Sequence, residues 1–112
     1  MSRSDRDRLL DVLEAGAAIA EHLRRGPLSD GLVFDAVRVR LIEIGEAVKD
    51  VSPELLSRQP LISWRQVATM RDQLAHRYVA TSHAIVARTV DADLVESLVA
   101  TGSLLALLDA QD

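Results

Sequence analysis

The sequence predicts an all-α fold, an antiparallel four-helix bundle with a short extra helix. Three observations carry that expectation. Apolar residues recur at spacings of three and four along nearly the whole chain, which is the period of a helix with one buried face. No segment alternates apolar and polar residues as a half-buried strand does. The connections between periodic segments are short and marked by Gly, Pro and capping residues, as between antiparallel neighbours in a bundle.

Taken in order, the first helix is expected from about Asp5 to Arg24. Leu9, Leu13, Ala17, Ala20 and Leu23 lie on its inward face, and Gly26-Pro27 ends it. Ser29 or Asp30 caps the second, whose stripe is Val33, Val37, Leu41, Ile44, Val48 and Val51. Ser52-Pro53 reads as an N-cap followed by proline at the first helical position, opening a short helix through Ser57. Pro60 punctuates the chain. Ser63 and Gln66 have capping-box spacing, and the helix they open, with Trp64 expected in the core, runs to about Ala75. Thr81 or Ser82 caps the next segment. Asp91-Ala92-Asp93 leads into the last helix, with Leu94, Leu98, Thr101, Leu105 and Leu108 inward.

A chain of 112 residues with neither repeat nor long linker fits one domain, 1–112. Composition that is 48% hydrophobic and 27% charged belongs to a globular protein and not to a disordered one. With no cysteine there is no disulfide, thiol nucleophile or thiolate metal site. Met1 to Leu13 is charged and does not read as a signal peptide. No stretch approaches the roughly 20 apolar residues of a membrane span, so a cytoplasmic protein is expected. A net charge of −4 argues against a surface that traps phosphate everywhere, though a local basic pocket remains open. Phe34, Trp64 and Tyr78 are the whole aromatic set, too few for a base-stacking platform.

The most informative stretch is Met70-Arg71-Asp72-Gln73-Leu74-Ala75-His76-Arg77-Tyr78. Arg71 interrupts the apolar side of its helix, and a buried unpaired charge is very unfavourable; it therefore asks for a ligand, a partner chain or a phosphate. His76 follows Arg71 by five residues, about 140° round a regular helix. One undistorted helix cannot aim both at the same phosphate. Either the helix ends near Ala75 and His76-Arg77-Tyr78 wraps over its end, or two copies of the chain share one pocket. Asp72 and His76, four apart, are neighbours, and a carboxylate beside an imidazole fixes its tautomer and favours its protonated form. Such a set suits general acid–base work. Arg71 and Arg77 can stabilise charge developing on phosphorus, without a metal. Internal transesterification of RNA by its 2′-hydroxyl would suit these groups. His22 and His83 are expected to be solvated or capping, and the three histidines match no zinc spacing. Glu43 and Glu46 are expected on a solvated face or as partners of Arg40 and Lys49, with a metal pair the lesser option. Asp5, Asp7, Asp11 and Glu14 offer one charged patch to a protein partner.

The Arg-x4-His-x-Tyr arrangement resembles the signature of the HEPN superfamily. Ile44-Gly45-Glu46-Ala47 resembles the Ile-Gly-Glu-Ala stretch of HepT-like toxins, and Trp64 to Asp72 resembles their Trp-x2-Ile-x2-Met-Arg-Asn run. The likeness covers about residues 5 to 108. It implies a helical bundle that dimerises with both motifs lining one cleft. It also implies a metal-independent endoribonuclease, without cofactor, acting as the toxin of a two-gene module. The implied antitoxin is a minimal nucleotidyltransferase that transfers AMP to the motif tyrosine. Carried over by position, Arg71 holds phosphate and His76 is the acid–base group. Asp72, Tyr78, Arg77 and Glu46 support the site, and Tyr78 is the adenylylation target. Three departures stand out: Asp72 replaces the commoner Asn, Arg77 is bulkier than usual, and Ala87 lies where a Trp is expected. The competing expectation is a non-catalytic HEPN module that binds nucleotide or a partner protein.

Overall fold

In the computed structural model, which describes residues 3–76 and 79–111 and the side chains of 5–76 and 82–111, the chain is helical almost throughout. The elements are α1 (Arg3–Arg25), α2 (Gly31–Lys49), α3 (Pro53–Leu56), α4 (Trp64–His76), α5 (Val79–Arg88), a π-helical turn (Thr89–Asp93) and α6 (Leu94–Gln111). No strand occurs among the described residues.

Helix α2 is the central element, packed against both α1 and α4. Asp30 caps it, its side chain accepting from the Leu32 amide at 2.9 Å. All six residues of the expected stripe, Val33 through Val51, are buried. Pairings at both ends give the directions. Arg8 reaches the Asp50 carbonyl and Asp5 reaches Ser52, while Gly26 lies beside Val33, so α1 and α2 are antiparallel. Arg38 meets Leu74 and Gly45 meets Val67 and Arg71, so α4 is antiparallel to α2. An Arg6–Asp109 ion pair and the Gly16–Leu98 contact set α6 antiparallel to α1.

Three expectations are corrected. The inward face of α1 is Leu9, Val12, Ala15, Gly16 and Ile19, whereas Ala17 and Ala20 are exposed and Leu13 and Leu23 only half-buried. Burial of Val12 and Ile19 removes far more apolar area from water than burial of two alanines, so the larger side chains set the helix's rotation. Ser52 holds the N-cap position of α3 without a side-chain capping bond to it. Its hydroxyl donates instead to Asp5 at 2.8 Å, and its amide donates to the same carboxylate at 3.0 Å. Asp5 thus ties α1 to the start of α3. Finally, α5 begins before Ser82, which is buried inside it, and no break separates α5 from α6. With neither Gly nor Pro between Thr89 and Asp93 to stop the helix, the chain widens into one π turn and continues.

Candidate active site

Arg71 owes its position to a glycine. A Cβ placed on Gly45 would come within 2.9 Å of the Arg71 Cβ and 3.0 Å of both the Arg71 amide nitrogen and the Val67 carbonyl oxygen. Only a residue without a side chain lets the α2 and α4 backbones approach so closely. That approach sets Arg71 directly over the residue that follows Gly45. The Arg71 Nε lies 2.9 Å from the Glu46 Oε2, and its Nη1 donates to the Asp72 Oδ1 at 2.9 Å. The charge that seemed to ask for an external ligand therefore has two carboxylate partners within the chain. Its side chain is 39% exposed, open enough for a phosphate to reach it.

The electrostatics follow from that triad. The hydrogen bond from Arg71 holds the Asp72 carboxyl below its ordinary range; the charges of Arg71, His76 and Lys49 act the same way, while partial desolvation opposes them. Arg71 is in turn more firmly protonated than usual, through Asp72 first and the charge of Glu46 next. Asp72 thus faces both the arginine beside it and the imidazole one turn onward.

His76 is exposed and is the last residue of α4. The end of α4 thus falls one residue past the expected Ala75, and the remainder of the expected wrap, Arg77 and Tyr78, lies outside the described residues. On one chain the two side chains diverge by about 140° round α4. Arg71 lines a cavity of about 530 Å³ between α1 and α2, together with Arg8, Arg40, Glu46 and Asp50, and His76 is not part of its wall. The structure brings together Arg71, Asp72 and Glu46. It does not set His76 in that cavity. Arg77 and Tyr78 lie outside the described residues.

Several other expectations meet their outcome here. Glu46 pairs with Arg71, not with Lys49, while Glu43 pairs with Arg40 at 2.9 Å. Trp64 is buried and donates through Nε1 to the Gln59 carbonyl at 3.1 Å. His83 is exposed yet stacks on Phe34, ring centres 5.0 Å apart, with its Nε2 3.3 Å from the Leu28 oxygen. Among the described residues no three His, Asp or Glu side chains gather as a metal site would need. Arg38 is the residue that sequence reasoning missed: its Nη2 donates to the Leu74 carbonyl at 2.6 Å. Seven residues before Gly45, it lies on the α4-facing side of α2, but nothing in the sequence marks the carbonyl it meets.

The crossing of α2 and α4 thus presents an arginine paired with two carboxylates, with an exposed histidine five residues further along α4. Comparison with known proteins supplies the class. The chain belongs to the ribonuclease HepT-like family, whose profile matches residues 11–100. A Thermococcus cleftensis protein called "Probable ribonuclease HepT" is 35% identical over 98 residues, spanning 84% of this chain and 89% of its own length. A protein of Methanocaldococcus jannaschii named as a candidate RNase is 36% identical over 92 residues, 79% of this chain and 76% of that one. Another so named, from Caldanaerobacter subterraneus subsp. tengcongensis, is 36% identical over 59 residues, about half of either chain. No solved structure gave a significant match. No described helix is long and apolar enough to cross a membrane.

Proposed function

We propose that the chain is the toxin of a two-gene, type II-like toxin–antitoxin module, a metal-independent endoribonuclease that cuts cellular mRNA or tRNA in the cytoplasm. The observation that carries the reading is the Arg71 cluster at the Gly45 crossing, one helical turn from His76, in a chain of the HepT-like family. Arg71 binds the scissile phosphate, and Asp72 and Glu46 hold its guanidinium in place. As the 2′-oxygen of the RNA attacks phosphorus, its proton passes to His76. The bond from phosphorus to the 5′-oxygen breaks, and that oxygen leaves with a proton from solvent. A 2′,3′-cyclic phosphate and a 5′-hydroxyl end result. Arg71 stabilises the charge that builds on the phosphorane oxygens.

The divergence of Arg71 and His76 on a helix that stays regular through His76 supports a homodimer of HEPN-like four-helix bundles. In that arrangement each copy contributes part of one cleft. The same reading makes Tyr78 the adenylylation target of a nucleotidyltransferase antitoxin. The phenolic oxygen attacks the α-phosphorus of ATP, pyrophosphate leaves, and the added anion blocks the cleft by bulk and charge. Arg77 supports the site beside Tyr78.

One observation favours the second reading, a non-catalytic nucleotide- or partner-binding module. Two carboxylates already neutralise Arg71, and a phosphate must compete with them. Incubation of the purified protein with total RNA in the presence of a chelator separates the two. Cleavage with 2′,3′-cyclic phosphate ends, lost in His76→Ala, supports the nuclease. Intact RNA with retained nucleotide binding supports the module.

A further inference from the structure

The outer side of the α1–α6 pair is apolar and uncovered. Of the 18 residues of α6 only Glu96 and Asp109 carry charge, a composition that belongs to a helix buried on every side. Yet Val95 and Val99 are 67% and 65% exposed, and Ala106 is exposed with them. A Cβ on Gly102 would meet nothing within 4 Å. On α1, Leu10, Ala17 and Ala20 are exposed and Leu13 is half-buried. Leu13, Ala17 and Ala20 belong to the face expected to be inward, and a single chain does not cover them.

These residues form two stripes. Arg6, Leu10, Leu13, Ala17, Ala20 and Arg24 follow one another on α1 at spacings of four and three, the repeat of one helix face. Asp91, Val95, Val99, Gly102, Ala106 and Asp109 do the same on α6 and the turn before it. The Arg6–Asp109 ion pair joins the two stripes at one end, so they border the same side of the seam. Because α1 and α6 are antiparallel, Leu10 lies level with Ala106, Leu13 with Gly102, Ala17 with Val99 and Ala20 with Val95. Each level sets a larger side chain beside a smaller one, and the ends are basic on α1 and acidic on α6. Glu14 and Glu96 turn away from the stripes into cavities on either flank.

We propose that this face is a self-association surface that takes a second copy of the chain, with α1 of each copy lying on α6 of the other. A two-fold axis along the seam sets the leucines of one copy over the Ala106 and Gly102 of the other, and its valines over Ala17 and Ala20. The same rotation carries Arg6 and Arg24 onto Asp109 and Asp91. Size and charge thus match in one isologous arrangement. The face is about 27 Å long and about 20 Å wide, about 500 Å² in projection and more in accessible surface, on the scale of the roughly 800 Å² per partner of a standard interface. It is separate from the cleft proposed for Arg71 and His76, since α4 packs on α2 and borders α6 only across the cavity on the opposite flank. With both contacts formed, dimers join into tetramers or longer assemblies.

Sedimentation equilibrium across micromolar to millimolar concentrations tests this, with circular dichroism to check folding. Val99→Glu sets a carboxylate at the centre of the face on an exposed position. It should halve the mass that wild type reaches and weaken association at least about 100-fold, as an unpaired buried charge does. Arg24→Asp should weaken it about tenfold, through two equivalent rim pairs, and Arg24→Asp with Asp91→Arg should recover most of that loss. Equal masses for wild type and Val99→Glu at every concentration overturn the proposal and leave the face to a different protein. A double variant no better than Arg24→Asp overturns the placing of α1 on α6. The nuclease reading is judged apart from this: with the α4 cleft dimer present the halving runs from tetramer to dimer, without it from dimer to monomer. RNA cleavage by Val99→Glu should stay within about twofold of wild type, and its loss together with the mass would make this face part of the cleft and overturn the separation.

Discussion

The two sides of α4 are built differently. Toward α2 the backbones touch: Gly45 leaves no room for a Cβ against Arg71 and Val67, Leu74 is fully buried, and Arg38 bonds a main-chain carbonyl. Toward α5 and α6 the helix borders a cavity of about 770 Å³, floored by Met70, Ile85 and Leu94 and rimmed by Arg65, Arg88 and Glu96. On that side the contacts are between side chains, such as the Thr89 hydroxyl 3.6 Å from the Met70 sulfur. Arg71, the proposed phosphate holder, belongs to the side where main chain meets main chain. A group that must be placed to within a fraction of an ångström is better fixed by backbone contact than by side chains that can repack.

The comparison is sharpened most by separating chemistry from scaffold. His76→Ala should lower RNA cleavage by about 10²- to 10⁴-fold, the usual contribution of a general acid–base group. Because His76 is exposed, its urea midpoint should move by no more than about 0.5 kcal/mol of stability. A large stability loss in this variant would make His76 a structural residue.

Next in size is the glycine. Gly45→Ala gains about 1 kcal/mol of helix propensity. It also places a methyl group against backbone atoms that cannot step aside, so a net loss of about 1–2 kcal/mol is expected, together with lower activity as Arg71 shifts. Chemical denaturation and RNA cleavage measured on the same preparation check both. A stabilised, fully active Gly45→Ala protein would break the contrast between the two sides. On the open side, Met70→Leu should cost less than about 1.5 kcal/mol and less than Gly45→Ala, since the swap conserves volume.

The smallest effect is electrostatic. The carboxyl of Asp72 is held below its ordinary value by Arg71. A depressed carboxyl adds stability that is present above the unfolded-state pKa, about 3.9. That stability is lost as pH falls through the folded value. Wild type should therefore exceed Asp72→Asn in stability at neutral pH, and the gap should close in acid. High salt should shrink it as well, because both side chains are partly exposed. A gap that widens in acid would contradict the pairing.

How much of this was legible in the sequence depended on the kind of contact. The α2 stripe was readable because branched, bulky residues fall at helical spacing and nothing competes with them. The α1 face was misplaced because alanines weigh little in deciding which side a helix buries. The π turn left no trace, since Asp91 and Asp93 resemble a helix start and only packing decides that the helix continues. In the site, Arg71 and His76 were marked by the motif. The pairing of Arg71 with Glu46 and the role of Gly45 were not readable as geometry, because both depend on where α4 crosses α2. Arg38 was invisible for the same reason: its partner is a carbonyl 36 residues away. Arg77 and Tyr78 lie outside the described residues, so their part in the site stays with the proposal.

The central claim is that one arginine and one histidine of α4 act on the same phosphodiester. Its most direct test is end-group mapping of RNA treated with purified wild type, Arg71→Ala and His76→Ala, each in chelator. The account predicts fragments ending in 2′,3′-cyclic phosphate from wild type and near-complete loss of them in both variants. The same fragments at undiminished rate from either variant would contradict it.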